Sequence, residues 1–187
     1  GDNLQFARYL PLLRSRYPAA RIYFWCVPEL FRLFQSSAGA WGVDVLPPAV
    51  PGGLPSFDVQ IALLSLPYRM QTDFDSIPAE IPYLRPPATL AEKWASRLTS
   101  RTGKRVGIVW ASGENYLYHQ SRTVRLRQLS PLLAVPGVTW VSLQKGKGAV
   151  QIAEEGLSGK ILDLMGDVED FADTAAIIGQ LDLVISV

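Results

Sequence analysis

A reaction on a phosphate or a sugar needs cations, small residues that let backbone N–H groups come close, and a carboxylate able to move a proton. This chain carries each of these in a separate stretch. Residues 104–122 read KRVGIVWASGENYLYHQSR, an apolar run over 106–110 that enters a turn of Ala111, Ser112 and Gly113 and leads on to Arg122. Gly113, without a Cβ, permits close approach of a bound group, and Ser112 offers a hydroxyl and an N–H to a phosphate. A second small-residue turn, Gln144-Lys145-Gly146-Lys147-Gly148, adds two cations. Each Lys or Arg taken singly is a solvated surface charge more often than a ligand, and it is their joint placement that points to a diphosphate. Asp2, directly after Gly1, is the acid placed to act as a general base on a hydroxyl, with a plain helix cap as its bland reading.

Other chemistries have less to build on. His119 is the sole histidine and Cys26 the sole cysteine, so a His-based metal cluster, a Ser/His/Asp triad and an intrachain disulfide are all poorly supported. Cys26 reads as a small core residue, which fits a reducing, cytoplasmic setting. Asp44, Asp73 and Asp75 are loop acids without a usable partner spacing. The aromatic run Tyr116, Leu117, Tyr118 offers rings to a base or sugar, or simply packs. A net charge of +1 supplies no excess positive field for nucleic acid. No apolar run approaches the roughly 20 residues of a membrane-spanning helix, and the N-terminus has no signal-peptide pattern.

The elements that must position these residues alternate between strand and helix. Asp2 and Gln5 suggest a capping box opening a helix that Pro11 should kink. Residues 21–27 (RIYFWCV) read as a buried strand, 28–36 as a short helix, and 39–55 as a Gly- and Pro-rich loop around a strand at 43–46. A further strand is expected at 59–64. Residues 77–87, with Pro78, Pro82, Pro86 and Pro87, form a connector. A helix over 90–100, capped by Thr89, opens a second unit: strand 106–110, helix 126–133, strand 138–143, helix 149–155, strand 160–164, helix 170–179 capped by Asp170, and strand 183–187. This is an α/β pattern of two units with parallel sheets, in which ligands sit off the carboxyl ends of the strands.

The segments GDNLQFARYLPLLRSRYP, RVGIVWASG with SRTVRLRQLSPLL, VSLQKG and DFADTAAIIGQLDLVISV resemble, in that order, the catalytic region of bacterial glycosyltransferases often found behind tetratricopeptide repeats. These are similar to ADP-heptose:lipopolysaccharide heptosyltransferases and more remotely to O-linked N-acetylglucosamine transferases. The resemblance implies a GT-B fold of two Rossmann-like domains: an acceptor-side domain at 1–88, a linker helix at 89–103 and a nucleotide-sugar-binding domain at 104–187.

It also implies inverting, metal-independent transfer without a cofactor, from a nucleotide-diphosphate sugar to an acceptor hydroxyl on a protein, glycan or lipid-linked molecule. Asp2 matches the proposed base. Ala111, Ser112 and Gly113 match the loop near the donor phosphates, and Arg122 the cation on the leaving diphosphate. Gln144 and Lys145 border the donor, while Val168, Glu169, Asp170 and Phe171 line the nucleotide base. Relatives carry a strand before the Gly-Asp pair and a DT-A/G-x-x-H-L-A segment after the last strand. Both domains are therefore expected to be incomplete, and the chain alone to show weak donor binding and little turnover. The competing expectation is an inactive donor-binding or interaction module attached to repeats. A sugar-phosphate epimerase is a weaker third reading, because it requires a nicotinamide or a catalytic acid/base pair.

Overall fold

The computed structural model describes residues 1–99, 103–113 and 122–187, and every strand pairing in it is parallel. The chain divides into two compact units: Gly1–Pro87 with Asp170–Ala172, and Ala88–Glu169 with Asp173–Val187.

The first unit opens with helix α1 (Asp2–Phe6), for which Gly1, not Asp2, is the cap residue. The expected capping box does not form. The Gln5 N–H donates to the Gly1 carbonyl at 3.0 Å, and Asp2 sits one position inside, where a negative charge still suits the positive end of the helix dipole. A 3-10 turn, Ala7–Tyr9, separates α1 from helix α2 (Leu10–Arg16). Pro11 falls in the first turn of α2, where a missing N–H costs nothing, so the kink takes the form of a break between two helices.

Strand β1 (Tyr23–Trp25) pairs with β2 (Asp44–Leu46), placing Phe24 opposite Val45. Between them runs helix α3 (Pro28–Trp41), longer than the 28–36 expected. Its extension is held by packing: Leu30, Leu33, Phe34, Ser37 and Trp41 recur every three or four residues and are buried. The Ser36 and Ser37 hydroxyls donate back to the Leu33 carbonyl at 2.9 and 3.0 Å, absorbing polar groups that would otherwise favour a turn. The helix stops at Gly42, whose φ of +66° is left-handed. Phe24, Phe34 and Trp41 form the aromatic centre of the core, with ring centroids 5.2 to 6.4 Å apart. Cys26 lies in the same core, and burial pushes its thiol up to about 11.

The strand expected at 59–64 is absent. Val59 is 86% exposed, Ile61 and Leu64 are exposed too, and the run ends in a 3-10 turn at Leu63–Ser65 followed by the short helix α4 (Leu66–Arg69). An apolar run becomes a strand only where a ladder partner receives it, and among the described residues this sheet has two strands, β1 and β2. Leu66, just beyond the run, is the residue that enters the core. The proline-rich connector is pinned by Tyr83, which donates its hydroxyl to the Leu4 carbonyl at 3.0 Å and accepts Trp41 Nε1–H on its own carbonyl at 3.1 Å.

The second unit begins with helix α5 (Ala88–Leu98). Thr89 lies inside its first turn and so is not its cap. The fully buried Trp94 and Leu98 carry the stripe predicted from their spacing. There follow β3 (Lys104–Val109), a 3-10 turn and helix α6 (Ser130–Leu133), β4 (Val138–Ser142), helix α7 (Gln151–Glu154), β5 (Ile161–Asp163), helix α8 (Phe171–Ile178) and β6 (Leu183–Ser186). The sheet order is β5-β4-β3-β6. Successive residues face opposite sides: Val106, Ile108, Trp110, Trp140 and Ile161 enter one hydrophobic cluster, and Val109, Val141 and Leu162 the other. Both faces are covered, as a parallel sheet requires.

Candidate functional site at the carboxyl edge of the second sheet

Counted from β3, the strand order is 3-2-1-4, that of the first four strands of a doubly wound, Rossmann-like sheet. The chain reverses its winding direction between β3 and β6, and the crevice for a ligand in such sheets opens outside the carboxyl ends of the strands at that point. Ala111, Ser112 and Gly113 follow β3 there, and the 144–148 turn follows β4 alongside it.

The two loops are tied together by Gln144. Its side chain is 4% exposed, and its amide bonds on both sides. Oε1 accepts the N–H groups of Trp110 and Ala111 at 3.1 and 2.8 Å, while Nε2 donates to the carbonyls of Ala111 and Lys145 at 3.1 and 2.9 Å. One amide thus completes the backbone pairing that the β3 ladder leaves off. Trp110 Nε1–H donates to the Gly148 carbonyl at 3.2 Å and adds a second tie between the same loops. A Cβ on Gly148 would meet Ala111 Cβ and the Gln144 amide at 3.0 Å, which explains a glycine there.

The Ser112 N–H donates to Thr123 Oγ1 at 3.3 Å, and the Val124 N–H to the Trp110 carbonyl at 2.8 Å. The amides of Trp110, Ala111 and Ser112 are therefore committed within the protein. The Ser112 N–H expected to face a phosphate is turned inward to Thr123. The return of the chain at 123–124 brings Arg122, exposed, to the same edge.

Gly113 is exposed, and among the described residues a Cβ built on it meets nothing within 4 Å. The fold itself makes no demand for glycine at this position. Lys145 is exposed, and its Nζ donates to the carbonyl of the buried Val168 at 3.0 Å, linking the β4 turn to the segment before α8. Lys147 is exposed in the next turn. At the start of α8, Asp170 Oδ1 accepts the Ala172 N–H at 2.8 Å, which is the cap expected of Asp170, and in the segment before it the Glu169 N–H reaches Asp173 Oδ2 at 3.4 Å.

Ala111, Ser112, Gly113, Arg122, Gln144, Lys145, Val168 and Glu169 thus belong to the second unit. Asp170 and Phe171 group with the first, as does Asp2, which is exposed at the start of α1. His119 and the aromatic run 116–118 lie outside the described residues.

Sequence reasoning missed Asp173. It is fully buried and accepts Trp94 Nε1–H at 2.8 Å and Lys93 Nζ–H at 3.2 Å, fixing α8 against α5. Burial pushes its carboxyl upward, but the bonds from Trp94 and Lys93 outweigh this and hold it below the usual carboxylate range. An acid three residues after a helix cap, in an otherwise apolar helix, was the available signal. Among the described residues no helix is long and apolar enough to cross a membrane. Compared with known protein families, curated proteins and solved structures, the chain matches none.

Proposed function

We propose that the chain is the catalytic region of a glycosyltransferase, with the carboxyl edge of β3 and β4 receiving the diphosphate of a nucleotide-sugar donor. The observation that carries this reading is the 3-2-1-4 strand order, which places the 111–113 turn at the switch point where such sheets take phosphate-bearing ligands. Arg122, Lys145 and Lys147 are exposed there as counter-charges, able to stabilise a departing diphosphate without a metal ion. Because the amides of Trp110, Ala111 and Ser112 are used internally, side-chain cations would carry much of the recognition. Asp2, on the first unit, would be the base that takes the proton of an acceptor hydroxyl.

The test is a calorimetric and NMR titration of the chain with ADP, UDP and GDP, repeated with Arg122→Ala. One nucleotide should bind with shifts confined to residues 111–113, 122 and 144–148. Arg122→Ala should weaken it by about 1.5–3 kcal/mol, the worth of a charge-assisted bond to phosphate. Absence of binding for all three, or an unchanged affinity in the variant, overturns the assignment of this edge. In the full-length protein, sugar transfer that Asp2→Asn abolishes without loss of donor affinity marks an enzyme, whereas binding without transfer marks the interaction module.

A further inference from the structure

One peptide bond in the second unit is held at both ends by charge. The Val168 carbonyl accepts Lys145 Nζ–H at 3.0 Å, and the N–H of the same peptide, on Glu169, donates to Asp173 Oδ2 at 3.4 Å. A peptide is a dipole with its negative end at the oxygen and its positive end at the N–H. A cation on the first and a carboxylate on the second therefore hold the peptide plane in one orientation. At 3.4 Å the second contact is long for a hydrogen bond and acts chiefly as a charge on a dipole.

The two ends differ in mobility. Asp173 is fully buried, and its Oδ1 accepts Trp94 Nε1–H at 2.8 Å and Lys93 Nζ–H at 3.2 Å. Val168 is 6% exposed and packs in the cluster that holds Leu164, Met165 and Ile177. The inner end is thus fixed by packing and by α5. Lys145 is exposed, a flexible four-carbon stem ending in an ammonium with three protons. The Val168 carbonyl takes one of them, which anchors the ammonium and leaves it able to face a ligand at the carboxyl edge.

We propose that Asp173 is a positioning residue: through the 168–169 peptide it sets where the Lys145 ammonium stands, and so strengthens the hold of the carboxyl edge on a diphosphate. This rests on the reading of that edge as a diphosphate site. In Asp173→Asn a single amide oxygen replaces two carboxylate oxygens. Turned toward Trp94 and Lys93, it leaves an NH2 group against the Glu169 N–H, donor facing donor, and the peptide turns away. Lys145 then keeps its charge but loses its anchor, so that ordering it costs a ligand more.

Two measurements on the chain test this, the first without ligand. Carbon-detected and proton–nitrogen NMR follow the Val168 carbonyl and the Glu169 amide in the parent, in Lys145→Met and in Asp173→Asn. Lys145→Met alters an exposed residue and should move the Val168 carbonyl carbon; Asp173→Asn should move both signals. The second is a calorimetric titration with inorganic pyrophosphate, its location read from shifts at residues 144–148. Asp173→Asn should weaken binding about three- to tenfold, but by less than about twofold once Lys145 is already Met, because a residue acting through Lys145 then has nothing to act on. A general loosening of the fold would weaken both backgrounds alike, and that additive result overturns the proposal. So does a Val168 carbonyl carbon that Lys145→Met leaves unmoved, or a pyrophosphate affinity in Asp173→Asn equal to the parent's. These outcomes remove the positioning role alone. Failure of pyrophosphate to bind the parent overturns the diphosphate reading of the edge and the positioning role with it.

Discussion

Gln144 was expected among the residues that border a donor, and the structure gives its side chain a different task. With all four of its amide bonds made to backbone groups of two loops, it shapes the edge and has no bonding capacity left over for a ligand. Gln144→Leu would strand the Trp110 and Ala111 N–H groups in an apolar setting. A loss of about 2–4 kcal/mol in urea unfolding is expected, since each unsatisfied buried group costs about 1–3 kcal/mol. A loss below about 0.5 kcal/mol would mean that water replaces the amide without difficulty.

Gly113 gives the opposite prediction. Among the described residues its Cβ position meets nothing, so Gly113→Ala should change stability by no more than about 0.5 kcal/mol. If nucleotide affinity nevertheless falls in a calorimetric titration, the glycine serves the ligand's approach; if both are unchanged, residue 113 is a plain turn position. None of this was readable from the sequence, because Gln144 meets residues 33 and 34 positions away, while the glycine's spacing gave its type without its surroundings.

At the scale of elements, the chain was most legible in its short β-branched and aromatic runs. RIYFWCV and KRVGIVW contain β1 and β3 because β-branched and aromatic runs of that length have few other ways to satisfy backbone and side chains together. The apolar run at 59–64 carries the same signal and forms no strand, since the pattern records hydrophobicity but not the presence of a partner. Residues 39–41 were read as loop from Gly39, yet the burial of Trp41 draws α3 across them.

The α5 to α8 clip is another element-scale feature, and it makes stability depend on pH. Asp173 is held below its unfolded value of about 3.9, so its contribution is complete above that value and is lost as pH falls through the folded one. Lys93 is 40% exposed at its side chain and is screened by solvent, which leaves the Trp94 bond as the larger share. Asp173→Asn should lower stability by about 1–3 kcal/mol at pH 7 and by progressively less below about pH 4. Urea midpoints measured from pH 7 to pH 3 for parent and variant check this, and a deficit that grows with acidity would reverse the assigned sign.

At the scale of the molecule, the two units differ in how far their sheets are developed. Among the described residues the second has four parallel strands, whereas the first rests on a two-stranded ladder and an aromatic core. Among the described residues β6 pairs with β3 and with no second strand. Leu183 and Val184 on this strand are 53% and 38% exposed. A row of open N–H and C=O groups flanked by apolar side chains is a template for another strand, and nothing charged on β6 itself blunts it. A polypeptide of these 187 residues should therefore self-associate as its concentration rises, edge against edge. In sedimentation velocity a single lysine in place of Leu183 should shift it toward monomer, making protein concentration a variable to control in every binding measurement described above.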